Sequence, residues 1–358
     1  VFIRIHLWFN SLLQPESEDS MLTCRASLVL LTVVTCLLSQ YVWAADGFSI
    51  DDKPGDHLDV LLDGKIVARY MDAHDVSTPA RRTETYKVYL QVYDAEGKAP
   101  ITQAADGKQF PHHRGIFMGW DHIGVNGKTY DRWHMKGGDM VHRKFTEQKA
   151  GPDSATFTSL IHWDGDSADK PIIIEERTLT FRRGPAPARL VIDFVTKLKS
   201  ADGGEITLDG TVEHAGVHFR PHGDIDAKQT FYLFPKENAD AHKDLDLPWI
   251  AEDYTLHGKQ YSIAELNHPE NPKGTRISAY RDYGRFGYFP KTEIKSGETL
   301  TLKYRFLIAE GEMLPAAVIQ KSWDEFAGVS SPTPTPPTTL KPADGSGTPK
   351  PKAAPKKS

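Results

Sequence analysis

The sequence predicts an all-β fold, a large antiparallel β-sandwich of the supersandwich kind, closed by a short C-terminal helix. Three observations carry this. Between Gly47 and Gly328 apolar residues alternate with period two, turn residues bound the alternating segments, and no helical period separates one segment from the next. Alternation buries one face of a strand and leaves the other to water. A succession of such strands without crossover helices disfavours a parallel sheet.

Asp63-Gly64 lies between the apolar segments 58–62 and 65–70 and marks a two-residue hairpin, because a type I′ turn needs the positive φ that Gly supplies cheaply. Further strands are expected at 86–93, 140–148, 155–163 and 172–181. In 190–198 one face carries Leu190, Ile192, Phe194 and Leu198. Strands at 260–266 and 275–280 follow, then 300–308, with Leu300, Leu302, Tyr304, Phe306 and Ile308 inward and Thr301, Lys303 and Arg305 toward water. A helix is expected over 314–326, where Pro315 suits the first turn and Ile319, Trp323 and Phe326 share a face. Residues 45–330 read as one domain. The alternative is two smaller sandwiches joined near Gly184-Pro185.

The ends differ in composition. Residues 21–44 carry one positive charge at Arg25, an apolar or small-residue run over 26–38 and the small-x-small pattern Val42-Trp43-Ala44. This is an export signal cut after Ala44, its core too short to cross a hydrocarbon layer of about 30 Å. Residues 1–20 then form a non-native extension ahead of Met21, and the mature protein is expected to be secreted or periplasmic. From Ser331 onward there are eight prolines and five lysines against a single Asp344, a composition that stays solvated and disordered and could contact envelope polymer.

Both cysteines, Cys24 and Cys36, fall within the export signal. Thiolate nucleophiles, zinc–cysteine sites and disulfide scaffolds are thereby excluded from the mature chain. The formal charge of −5, with no basic concentration outside the tail, argues against nucleic acid as partner. No G-x-S-x-G elbow, H-E-x-x-H helix, P-loop or dinucleotide glycine motif occurs.

Four segments carry chemistry-bearing residues. In 110–121, His112, His113 and Arg114 precede an apolar run, where neutral imidazoles can bind a metal or move protons and a guanidinium can hold an anion. If a strand already runs there, the two histidines face opposite sides. In 131–134, Trp133 can stack on a sugar ring and His134 can act as ligand or acid/base, although a core tryptophan beside a salt bridge fits as well. Glu213, His214, His218 and His222 form a third group, and Gly216 and Pro221 speak against a helix that would align them. The fourth pairs the stiff loop 266–274, with His268 and Glu270, and Arg281-Asp282-Tyr283-Gly284.

Taken together, His-His-Arg-Gly at 112–115, Trp249 with Asp253-Tyr254, Asn-His-Pro-Glu-Asn-Pro at 267–272 and Arg-Asp-Tyr-Gly at 281–284 resemble the bacterial family catalogued as PmoA-related. The resemblance runs over most of 56–311. It implies a sandwich like those of carbohydrate enzymes and binding modules, with methane oxidation an inherited label. The chain departs from the family pattern at Phe110 and Ser278-Ala279, where relatives carry further histidines, so that His122, His134 or His218 would replace them.

The expected function is an exported enzyme acting on a sugar or glycan. His112, His113 and His134 are the catalytic candidates, and Arg114, Trp120, Trp133, His268 and Arg281 the substrate-binding ones. A divalent metal is the candidate cofactor, held by His113, His134 and His218. The rivals are a non-catalytic carbohydrate- or envelope-binding module and a metal-storage or delivery protein.

Overall fold

The computed structural model describes residues 46–344 except Lys108, Ala168, Val212 and Ser331. The expected export signal, the extension ahead of it and the last fourteen residues, 345–358, lie outside the described residues. No described helix is long and apolar enough to cross a membrane.

Every ladder between the named strands is antiparallel, in three sheets. An eight-stranded sheet runs in spatial order Phe48–Lys53, His57–Leu62, Lys65–Met71, Tyr89–Val92, Gly115–Trp120, Ala215–Arg220, Phe286–Phe289 and Arg276–Ser278. The nine-stranded sheet runs Thr339–Pro342, Ile225–Phe234, Trp249–Leu256, Lys259–Asn267, Thr299–Glu310, Leu190–Ser200, Pro171–Arg183, Ser154–Asp164 and Met140–Ala150. A small four-stranded sheet, Thr292–Ile294, Ile206–Asp209, His122–Val125 and Lys128–Tyr130, closes one end.

The two large sheets share one core, as the period-two pattern requires. Tyr70 of the eight-stranded sheet lies 5.1 Å from the Phe157 ring of the other and donates its hydroxyl to Ser159 at 3.0 Å. Tyr288 and Tyr304 stack across the same gap at 5.9 Å. Residues 184–189 link two neighbouring, paired strands of one sheet.

The helix Ala316–Ala327 covers the outer face of the nine-stranded sheet over Trp249, Ala251, Leu266 and Leu307. That sheet is thus buried on both faces at its centre, and Trp249–Leu256 is buried at seven of its eight positions rather than alternating. The helix begins two residues later than expected, with Pro315 at the N-cap rather than in the first turn, and Gly328 at φ 69° ends it.

Strands such as Gly115–Trp120, Ala215–Arg220, Ile225–Phe234 and Trp249–Leu256 lie outside the segments expected from the sequence, and two further elements depart from it in kind. Residues 79–85 form a short helix, capped by the Thr78 side chain accepting from Arg81 N, with Pro79 in its first turn. It buries only Thr85, so it leaves no apolar stripe to read. The Pro/Lys-rich segment expected to stay solvated supplies the edge strand Thr339–Pro342, paired with Ile225–Phe234.

The strand Gly115–Trp120 positions the site. Ile116, Met118 and Trp120 point into the shared core, which leaves Phe117 on the outer face with Tyr89 and Trp133. A Cβ on Gly115 would sit 2.0 Å from the Leu90 carbonyl oxygen, and one on Gly119 2.3 Å from that of Arg132. The two glycines let the neighbouring strand and the 131–134 loop close against this strand.

Candidate active site

Pairing brings the first three histidine-bearing segments together on the outer face of the eight-stranded sheet. Ala215–Arg220 lies antiparallel to Gly115–Trp120 with His218 opposite Phe117, and Phe286–Phe289 lies on its other side with Gly287 opposite His218. The 131–134 loop folds over this surface. Trp133 becomes its floor, fully buried and 4.9 Å from His218, 5.5 Å from His113 and 5.7 Å from His214.

Above that floor the imidazoles form a row. His112 sits 4.2 Å from His113 and 4.6 Å from His134, and His134 sits 5.1 Å from His214. Asp131 fixes His134, taking its Nδ1 at 2.9 Å on one oxygen and the backbone amides of Trp133 and His134 at 3.0 and 2.7 Å on the other. Burial pushes the Asp131 carboxyl up, but those bonds outweigh it and hold it at about 2. The carboxylate therefore accepts a hydrogen bond from Nδ1–H and leaves Nε2 as the nitrogen that faces outward for proton transfer. The His134 side chain is 27% exposed, so that nitrogen is within reach of a ligand.

His112 is held neutral: burial, then Lys87 and the neighbouring imidazoles, bring it down to about 2. His113 is 3% exposed and driven well below its ordinary value by burial and then by Arg285. Neither of its ring nitrogens meets a hydrogen-bond partner among the described residues, and the same holds for His112 Nε2.

A buried ionic knot backs the row. Glu213 accepts from Arg285 Nη2 at 2.7 Å and from Arg281 at 2.8–2.9 Å, while Arg285 Nη1 donates to His218 Nδ1 at 3.0 Å. His218 Nε2 donates to the Ala215 carbonyl at 2.8 Å. Thr211 donates its hydroxyl to Asp121 and accepts His214 Nδ1–H at 3.0 Å, which sets that ring's tautomer too. Lys87, 1% exposed, donates to the carbonyls of His112 and Trp133 at 3.0 Å each and ties the two histidine loops together. Burial, then Arg114, pushes its ammonium well below the usual range.

Several residues that the sequence marks as substrate-binding candidates take other roles in this arrangement. Trp120 cannot stack on a ligand: it is fully buried in the sandwich core, donating Nε1 to the Pro290 carbonyl at 3.0 Å. Trp133 likewise presents no open face. Arg114 is fully buried, its guanidinium donating to the carbonyls of Pro111, Glu84 and Thr83 and lying 4.3 Å over the Tyr86 ring, so it clamps the short helix to the 111–114 loop instead of holding an anion. His268 belongs to the far sheet, its ring 5.0 Å from Phe326 of the C-terminal helix. Arg281 does border the cluster, 21% exposed and paired with Glu213.

The metal set His113, His134 and His218 does not meet as ligands. Both nitrogens of His218 are engaged, and the one group of three described residues whose ligand atoms come within 4.8 Å of one another is His222, Asp224 and His257. Lys87 and Arg285 were not singled out from the sequence. A lysine inside the apolar run 86–93 was a usable signal for the first.

A family model matches residues 57–324, and the chain belongs to that family, a family of unknown function, DUF6807. This corrects the resemblance drawn from the motifs, since nothing links the chain to the PmoA-related family. No curated protein matches it in sequence. Among solved structures it is similar to a heparan sulfate lyase mutant from Pedobacter heparinus, at TM-score 0.36 and 9% identity over 76% of this chain and 36% of that one. It is similar to a beta-arabinopyranosidase at TM-score 0.35 and 11% identity, over 71% and 40% of the two chains. A galactose mutarotase-like protein from Clostridium acetobutylicum is similar at 0.33 and 9%, over 74% and 98%. The chain thus spans about a third of the lyase's length, and similarity at this level assigns no chemistry to it.

Proposed function

We propose that this protein is an exported, secreted or periplasmic enzyme that transfers protons on a sugar or glycan at the imidazole row. His134 is the general base, oriented by Asp131. His112, neutral across the working pH range, hydrogen-bonds substrate hydroxyls, and Arg281 binds a polar group at the rim. The observation that carries this reading is the row itself: three segments separated by up to about a hundred residues deliver His112, His134 and His214 side by side, with His134 locked in one tautomer. Oriented imidazoles beside a hydrogen-bonded carboxylate are suited to proton transfer.

Burial of Trp120 and Trp133 disfavours a plain binding module, which would need an exposed aromatic platform. The test is a glycan turnover screen with wild type and His134→Ala. Turnover lost in the variant, with thermal unfolding unchanged, supports the reading; full turnover in the variant, or glycan binding with no turnover in either protein, overturns it.

A further inference from the structure

We propose that His222, Asp224 and His257 form a second site, for a divalent transition metal of the zinc class, at the mouth of a polar cleft. It stands apart from the imidazole row and does not rest on that reading. The nine-stranded sheet builds it: Ile225 pairs with Leu256, so Asp224, one residue before, and His257, one residue after, meet at the same end of the ladder. His222 arrives from just beyond the end of the strand Ala215–Arg220.

The spacing suits an ion. Asp224 Oδ2 lies 3.7 Å from His222 Nδ1 and 3.9 Å from His257 Nε2, and all three ligand atoms fall within 4.8 Å of one another. Ligands around a tetrahedral ion with bonds of about 2.1 Å sit about 3.4 Å apart. The two distances to Asp224 need a contraction of a few tenths of an ångström, the two imidazoles close by rotation of their side chains, and the ion replaces the 3.2 Å bond from the Asp224 amide to His222 Nδ1. Two imidazoles and one carboxylate match nitrogen-preferring divalent metals and leave coordination positions open.

A cleft of about 310 Å³, lined by His222 and Asp224 together with Gln103, Asp106 and Gln109, adjoins the group. The backbone gives an independent reason to look here. His257 occupies the first central position of a type I′ turn, at φ 50° followed by Gly258 at 79°, where Asn, Asp or Gly are the usual occupants. The histidine there carries a modest local strain, and its side chain, 67% exposed, is held with its ring 5.8 Å from that of His222.

The experiment titrates Zn²⁺ alone into the purified full chain at neutral pH, followed by calorimetry. One ion per chain is expected, with affinity reduced about tenfold or more by His222→Ala and by His257→Asn, and unchanged by His134→Ala. Asn suits the left-handed turn, so His257→Asn separates ligand loss from misfolding. Binding that persists in the His222→Ala/His257→Asn double variant, that is lost in His134→Ala, or that is absent from the wild type overturns the site. None of these outcomes alters the glycan turnover test of the imidazole row.

Discussion

Asp131 holds His134 by three bonds at once, one to the ring and two to the backbone of its loop. The same carboxylate therefore decides where the loop lies and which nitrogen of the imidazole carries the proton. Orientation and chemistry are coupled in a single residue.

Replacing Asp131 with Asn keeps the shape but lets the amide face Nδ1 with its NH₂, so the ring is free to adopt the other tautomer. Turnover should fall by about 10²-fold or more with little change in KM, in line with the loss of a tautomer-fixing carboxylate elsewhere. Long-range ¹⁵N–¹H NMR should show His134 protonated at Nδ1 in wild type and mixed in the variant. An unchanged tautomer would remove Asp131 from this role.

Arg114 serves the fold. Arg114→Ala strands the carbonyls of Pro111, Glu84 and Thr83 and removes the contact with Tyr86, which should cost about 3 kcal/mol in urea unfolding. Lysine should not restore it, since an ammonium cannot reproduce the planar fork. A variant as stable as wild type, with weakened ligand binding, would return Arg114 to an anion-binding role.

His113 makes stability depend on pH in a direction that can be worked out. Its folded pKa lies well below the 6.5 of an ordinary imidazole, so below that pH the unfolded chain binds a proton that the folded chain does not. Its contribution is complete above pH 6.5 and is lost as pH falls, by up to about 1.4 kcal/mol per pH unit. Asp72, raised to about 7 by burial and then by Asp52, works in the opposite direction, so the test compares two proteins rather than two pH values alone. In His113→Phe, whose ring can keep the stack against Phe117, the stability lost between about pH 6.5 and 5 should be smaller by about 2 kcal/mol. Equal losses in both proteins would mean that His113 protonates in the folded state.

The legible part of the fold was the part set by local pattern. Residues 192–198 and 300–306 alternate because the outer face there is less covered than the core face, and Asp63-Gly64 turns because both positions take positive φ, 52° and 77°. The seven-residue helix at 79–85 and the strand at 339–342 escaped because neither has an apolar period: their partners, the Thr78 cap and the edge of Ile225–Phe234, are specified elsewhere in the chain.

By itself, the sequence determined the class of fold, the absence of cysteine chemistry from 45 onward and which residue types could do chemistry. Only the tertiary structure decided which of them meet. Antiparallel pairing of 115–120 with 215–220 brings His112, His134 and His214 together, while the course of 266–274 along the other sheet carries His268 away. The same packing sorted the large side chains, sending Trp120 and Arg114 inside. Contacts between residues a hundred positions apart depend on register and on which face of a strand is covered, and neither is written in the local alternation that announces the strand.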